Sequence, residues 1–241
     1  MIDIPTNVFS EAVREFWETR DRQMRDQEHR GGRDQGARSA VTGGQQMDGF
    51  LRVVTDLMVQ AGLPRADIYH GRRLAELPGY FRATKDWDLV VVSGGVLRAA
   101  IELKSQVGPS FGNNFNNRTE EAIGNAEDIW TAYREGRFGK HPAPFLGYFF
   151  LLEDCEKVHA PVRNVEPYFS VDPVFAGASY AKRYEVLCER LVLERKYTAA
   201  CLALATNSTP TKVAFPSSAL AFRQFAATAG AHVRSFVNGR S

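Results

Sequence analysis

Apolar residues recur along the chain in two periods, one helical and one extended. Val13, Phe16 and Trp17 predict a short helix over Glu11 to Trp17. From Phe50, the helical spacing of Val54, Leu57, Met58 and Ala61 predicts a second helix, stopped by Gly62 and Pro64. Ala66 to Tyr69 reads as a short strand. Asp88 to Val92 reads as a longer one, Ser93-Gly94-Gly95 as a turn, and Val96 to Lys104 as the returning strand. Asn117 and Glu120 match a capping box, and the helix they open carries Ile123, Ala126, Ile129, Trp130 and Tyr133 on one face. Phe145 to Leu152 is apolar on both faces, which fits a buried central strand.

Beyond Pro173 the spacing is helical. Tyr184, Leu187, Cys188 and Leu191, then Cys201, Leu202 and Ala205, predict one long helix or two broken ones. A last helix is expected from Ser217, burying Phe222, Phe225, Ala226, Ala229, Val233 and Phe236 and ending at Gly239. The sum is a mixed α/β core in a single domain. Residues 1–49 hold a helix and a polar arm, residues 50–152 the core, and residues 153–241 a mainly helical layer. Between Arg20 and Asp48 large apolar residues nearly vanish. That segment reads either as a solvated helix end with a loop or as an arm that orders on a polyanion.

Composition excludes several classes. With 44% hydrophobic and 24% charged residues, the 241-residue chain is an ordinary globular mixture. Phe145 to Leu152 is its longest apolar run, far short of the roughly 20 residues a membrane span needs. The first residues lack the basic start and apolar stretch of a signal peptide, so a cytoplasmic protein with reduced thiols is expected. Cys155, Cys188 and Cys201 form neither a disulfide framework nor a CxxC metal site. The formal net charge of +2 says little about partners, but the bias toward arginine over lysine favours phosphates and guanine edges.

The chemistry gathers on the hairpin. If the turn is Gly94-Gly95-Val96, Asp88 lies directly across from Glu102; a two-residue loop would shift the register by one. Glu102 and Lys104 share a strand face in either register. Two carboxylates and an ammonium thus converge, and with the backbone carbonyl of Leu103 they form an oxygen-rich set suited to Mg²⁺. Lys104 is then placed to orient or deprotonate a water beside a phosphodiester. A second Glu-x-Lys, Glu194-Arg195-Lys196, sits in a helical pattern where residues two apart diverge.

Other acids compete for the metal. Asp86 shares the strand face of Asp88. Asp56 on the early helix, and Glu120 and Glu121 in the first turn of the later one, are possible additional ligands. Asn113, Asn114, Asn116, Asn117 and Arg118 crowd an expected loop after Lys104; Asn can read adenine and Arg guanine in two-point contacts. Arg72, Arg73 and Arg82 are candidates for phosphate contacts, while Lys182, Arg183, Arg190, Arg195 and Lys196 read as a solvated face paired with Glu185, Glu189 and Glu194.

On this element order, Asp88…Glu102-Leu103-Lys104 resembles the PD-(D/E)xK nuclease superfamily, whose core is αβββαβ, although Trp87 stands where a proline often precedes the aspartate. The run from Lys104 to Ala122 is similar to XhoI-type restriction endonucleases, as are Pro78-Gly79-Tyr80-Phe81-Arg82, Lys85-Asp86-Trp87-Asp88 and Thr131-Ala132-Tyr133-Arg134-Glu135. The resemblance implies a homodimeric, Mg²⁺-dependent type II enzyme that cuts double-stranded DNA at CTCGAG after the first C. It also implies Asp88, Glu102 and Lys104 as metal and catalytic residues, and a companion DNA methyltransferase. A structure-specific repair or junction nuclease on the same core, or a non-catalytic DNA-binding protein, stays open as an alternative.

Overall fold

The computed structural model describes residues 6–29 and 45–237. Its helices are α1 (Thr6–His29), α2 (Asp48–Gln60), α3 (Phe111–Arg134), a single turn α4 (Glu156–His159), α5 (Tyr180–Leu193) and α6 (Phe222–Val237). The strands are β1 (Ile68–His70), β2 (Glu76–Pro78), β3 (Thr84–Asp86), β4 (Leu89–Ser93), β5 (Val96–Gln106), β6 (Phe145–Glu153), β7 (Ala199–Ala205) and β8 (Val213–Ala214). A mixed six-stranded sheet runs β1-β4-β5-β6-β7-β8, with β5, β6 and β7 parallel and the other neighbours antiparallel. Taken in chain order, α2, β1, β4, β5, α3 and β6 make the expected αβββαβ core. The small antiparallel pair β2–β3 is inserted between β1 and β4 as a separate sheet.

The sheet is sandwiched. Helices α1, α2 and α6 cover the face carrying Leu89, Val91, Ile101 and Leu103. Helices α3 and α5 cover the face carrying Val90, Ala100, Tyr148 and Phe150. Strand β6 therefore needs apolar residues on both faces, and residues 145–152 are all buried.

The hairpin differs from expectation in its turn. Ser93 pairs with Val96 across the two-residue turn Gly94-Gly95, both glycines at positive φ. That register is one short of the expected value. A β-bulge then adds Arg98 as an extra residue on β5, and from Val91↔Ala99 onward the register returns to the expected sum. Leu89 faces Ile101, which brings Asp88 level with Glu102.

Four segments depart from the sequence reading. Helix α1 continues past Trp17 to His29, because Arg, Gln, Glu and Met are strong helix formers and need no apolar stripe to prolong a helix already docked by Phe9, Val13, Phe16 and Trp17. Of the polar arm, residues 30–44 lie outside the described residues. Cys201, Leu202 and Ala205 belong to strand β7, not to a helix. A short run of Ala, Cys and Leu buried on both sides has no period to separate the two states. The C-terminal part thus contributes strands as well as helices. Helix α6 starts at Phe222, later than Ser217; Phe236 is half-buried, and Gly239 lies outside the described residues.

Helix α3 begins at Phe111 with Ser110 as its N-cap, six residues before the expected capping box. Phe111 stacks on Tyr180 and Phe115 packs edge-on against Tyr184, so two aromatics four residues apart fasten an asparagine-rich stretch onto α5. Asn113, Asn114, Asn116, Asn117 and Arg118 are therefore helical and not in a loop. The buried stripe is Ala122, Asn125, Ala126, Asp128, Ile129 and Ala132, while Ile123 is exposed.

Candidate active site

Strand β5 carries Glu102 and Lys104 on the face covered by α3. Glu102 is almost fully buried, at 1% exposure. Its Oε1 lies 2.8 Å from Lys104 Nζ and 3.1 Å from Lys85 Nζ. Asn125 Nδ2 donates to both carboxylate oxygens, at 3.0 and 2.8 Å. Tyr197 Oη lies 3.5 Å from Oε2 and 3.2 Å from the carbonyl of Ala122, so its hydroxyl can donate to either.

Asp88 precedes β4 in a bend, with its side chain 39% exposed. Its Oδ2 accepts the backbone N–H of Leu103 at 2.7 Å and lies 3.4 Å from Lys104 Nζ. A residue's N–H and C=O point to the same edge of a strand, so the Leu103 carbonyl also faces the place where β4 has ended. Asp88, Glu102, Lys104 and the Leu103 carbonyl thus come together along one edge of β5.

Burial alone would raise the Glu102 carboxyl. The charges of Lys104 and Lys85, with hydrogen bonds from Lys104 and Asn125, outweigh it and hold the group down to about 2. Burial lowers the Lys104 ammonium, but the charges of Glu102 and Asp88 raise it further than burial and the Arg118 charge depress it. Glu102 is thus an anion and Lys104 a cation at neutral pH.

A second ring of bonds supports Glu102 from behind. Arg82 donates from its guanidinium to Asn125 Oδ1 and to Asp128 Oδ2, both at 2.7 Å. Asp128 Oδ1 takes the backbone N–H groups of Tyr80 and Phe81, each at 2.8 Å. Arg82 is therefore tied into this ring and is not a free phosphate contact. Sequence reasoning did not find Lys85, Asn125, Asp128 or Tyr197. The signal present was Asn125 and Asp128 standing in the apolar stripe of α3, since buried polar residues are seldom there without a partner.

The remaining acids stand elsewhere. Asp86 does not share a strand face with Asp88: β3 ends at Asp86, β4 starts at Leu89, and Asp86 accepts the N–H of Arg73 at 3.2 Å. Asp56 pairs with Arg65 on α2, across the sheet from Glu102. Glu120 and Glu121 are not in the first turn of α3 but in its middle; Glu120 is exposed and Glu121 pairs with Arg118 at 2.6 Å. Arg72 and Arg73 are exposed in the turn before β2, with Arg73 at positive φ. Of the C-terminal cations, Lys182 pairs with Glu185 as expected, while Arg190 pairs with Asp172 and Lys196 with Glu127 instead of with Glu189 and Glu194. No helix among the described residues is long and apolar enough to cross a membrane.

A mixed sheet with an αβββαβ core, sandwiched between helices and bearing this acid–acid–lysine cluster, places the chain among restriction-endonuclease-like nucleases. Residues 26–217 match the restriction endonuclease XhoI family, and the chain belongs to it. It is 54% identical over 176 residues to the type II restriction enzyme BstVI of Geobacillus stearothermophilus, covering 71% of this chain and 78% of the relative. Identity is 51% over 184 residues to the type II restriction enzyme XhoI of Xanthomonas vasicola, covering 76% and 73%. It is 51% over 159 residues to the type II restriction enzyme AbrI of Azospirillum brasilense, covering 66% and 71%. The protein is a type II restriction endonuclease. No solved structure matches the chain.

Proposed function

We propose that the enzyme hydrolyses both strands of double-stranded DNA at the palindrome CTCGAG, after the first C, with Asp88, Glu102 and Lys104 as its catalytic residues. The observation that carries this reading is the convergence of an exposed carboxylate, a buried ionised carboxylate and a protonated lysine at the open edge of β5. The set fits Mg²⁺: every donor is an oxygen, from Asp88, Glu102 and the Leu103 carbonyl, and Asp88 Oδ1 has no partner among the described residues. When bound, the ion polarises the phosphoryl oxygen and makes water a better nucleophile. Asp88 and Glu102 hold the cation. Lys104, kept as an ammonium by both acids, donates to the attacking water or to the phosphoryl oxygen and offsets the charge that builds there. The products carry 5′-phosphate and 3′-hydroxyl ends.

A palindromic target maps onto a two-fold homodimer in which each subunit cuts one strand. The exposed face of α3 is the proposed base reader. Asn113, Asn116, Asn117 and Glu120 follow helical spacing there, and none of their side chains has a hydrogen-bond partner among the described residues. Asparagine in a helix interior costs stability relative to alanine, so four in seven residues signal a use outside the helix. Asn suits adenine, and Glu120, released from a metal role, suits the amino group of cytosine. Arg72 and Arg73 remain candidates for phosphate contacts, and Arg118 for a guanine contact. Such an enzyme works in the cytoplasm beside a companion DNA methyltransferase that protects host DNA, and its whole chain acts as one catalytic domain.

The test is digestion of a sequenced plasmid with Mg²⁺ and with EDTA, followed by end sequencing. Discrete Mg²⁺-dependent fragments ending at CTCGAG are expected. Discrete fragments elsewhere would keep the mechanism and discard the target.

A further inference from the structure

Two large aromatics stand in water beside the candidate site. Tyr80 is 49% and Phe81 69% exposed, at the tip of the loop between β2 and β3, with their rings edge to face at 4.9 Å. Single exposed apolar residues need no explanation. This pair differs in how it is mounted. One oxygen of the buried Asp128 takes both backbone N–H groups of the pair, and the other takes the Arg82 side chain that follows them. Gly79 is part of the mount: a Cβ there would sit 2.6 Å from Asp128 Oδ2 and 2.7 Å from the Arg82 carbonyl. The pair is thus clamped at its backbone while its rings project outward.

The mount also links the loop tip to the site. Arg82 bonds Asn125, and Asn125 bonds Glu102. The loop tip and the carboxylate assigned to the scissile phosphate thus share one hydrogen-bonded frame. We propose that Tyr80 and Phe81 form a fixed aromatic wedge that inserts beside a base of the target duplex, making them DNA-binding residues. The inference rests on the endonuclease reading above. Phe81, the more exposed, is the leading ring. Flat aromatic faces stack on bases, and apolar wedges part base steps in bent duplexes. A rigid backbone mount removes the ordering cost that a flexible loop would bear on binding. The exposed Val165, Tyr168 and Phe169 lack any comparable clamp among the described residues, and the same argument does not extend to them.

The test uses duplex oligonucleotides containing CTCGAG, with 2-aminopurine placed in turn at the adenine and at flanking positions, and with Ca²⁺ in place of Mg²⁺ to hold back cleavage. With the wild-type protein, fluorescence is expected to rise at one position as that base loses its stacking neighbour. Phe81→Ala should abolish the rise and weaken binding about tenfold or more, while the slope of affinity against salt stays unchanged, since no phosphate contact is removed. Phe81→Leu keeps the apolar bulk and should retain part of both effects; its unfolding midpoint, measured alongside, confirms an intact fold. If no position brightens and Phe81→Ala binds as wild type does, the wedge is overturned while plasmid cleavage by the wild type leaves the endonuclease reading standing. If affinity falls only because Phe81→Ala loses its subunit association in sedimentation, the ring is a subunit contact and the wedge is again overturned. A wild-type protein that neither binds nor cuts duplex DNA takes down both.

Discussion

Asn125 on α3 donates to both oxygens of Glu102 on β5, at 3.0 and 2.8 Å, so a helix residue sets the orientation of the buried carboxylate. Its own carbonyl is held by Arg82. Asn125→Ala leaves a buried carboxylate and a guanidinium short of a partner, which costs about 1–3 kcal/mol. The variant is expected to lose that much in urea denaturation and to cleave more slowly at saturating substrate. Asn125→Asp should be worse than alanine, because it sets a second anion against Glu102.

The Glu102 carboxyl makes a pH prediction. Its folded value, about 2, lies below the ordinary 4.5, so its ionisation stabilises the fold above 4.5, and that contribution fades as pH falls toward 2. Lys85 is one of the charges holding it down, and its ammonium also lies 4.5 Å from the Trp87 ring centroid. Lys85→Met moves the folded value back up. Acid unfolding followed by circular dichroism in EDTA should then occur at higher pH than in wild type, and an unshifted midpoint would count against Lys85 as a support of Glu102.

The bulge at Arg98 explains why the hairpin was legible despite its turn. A chain read as strand–turn–strand gives the pairing only if the turn length is known and no residue is extra. Here two departures cancel: the turn is one residue shorter than expected and the returning strand carries one more. Glu102 and Lys104 were readable because residues two apart share a face in any register. The partners on α3 and on the β2–β3 insertion were not, since their contacts with Glu102 span 17 to 23 residues and nothing local encodes them. Helix α3 was placed late because four asparagines and a glycine look like a turn until Phe111 and Phe115 dock on α5. Strand β7 was missed for want of any period.

Deleting Arg98 tests this account of the register. Without the extra residue, Leu97 and Ala99 become neighbours in a regular hairpin, and the pairs Val92↔Leu97, Val91↔Ala99 and Leu89↔Ile101 are all kept. Glu102 then stays level with Asp88 on its own face. The deletion is expected to leave both cooperative unfolding and cleavage in place. A deletion variant that unfolds or loses cleavage would show that the bulge itself, and not the pairing beyond it, sets the site.

Gly79→Ala probes the mount behind the site. The added Cβ meets the Asp128 carboxylate and the Arg82 carbonyl at distances no real Cβ tolerates, and backbone has little room to retreat. Overpacking of this kind costs about 1–3 kcal/mol. The loss should appear in denaturant unfolding and should be accompanied by slower cleavage, because displacement of Asp128 loosens Arg82 and with it Asn125.

Gly124→Ala separates stability from recognition on α3. A Cβ at Gly124 would find nothing within 4 Å, so the fold itself makes no demand for glycine there. Alanine in a helix interior is favoured over glycine by roughly 0.5–1 kcal/mol, and unfolding should shift upward by about that much. Gly124 follows Asn117 by seven residues and Glu120 by four, which places it on the same exposed stripe. If that stripe lies against the duplex, the small residue allows a close approach of the helix backbone that a methyl group obstructs. A more stable variant with weaker affinity for CTCGAG duplex is therefore expected in parallel urea and binding titrations. A gain in stability with affinity unchanged would place the outer face of α3 away from the DNA.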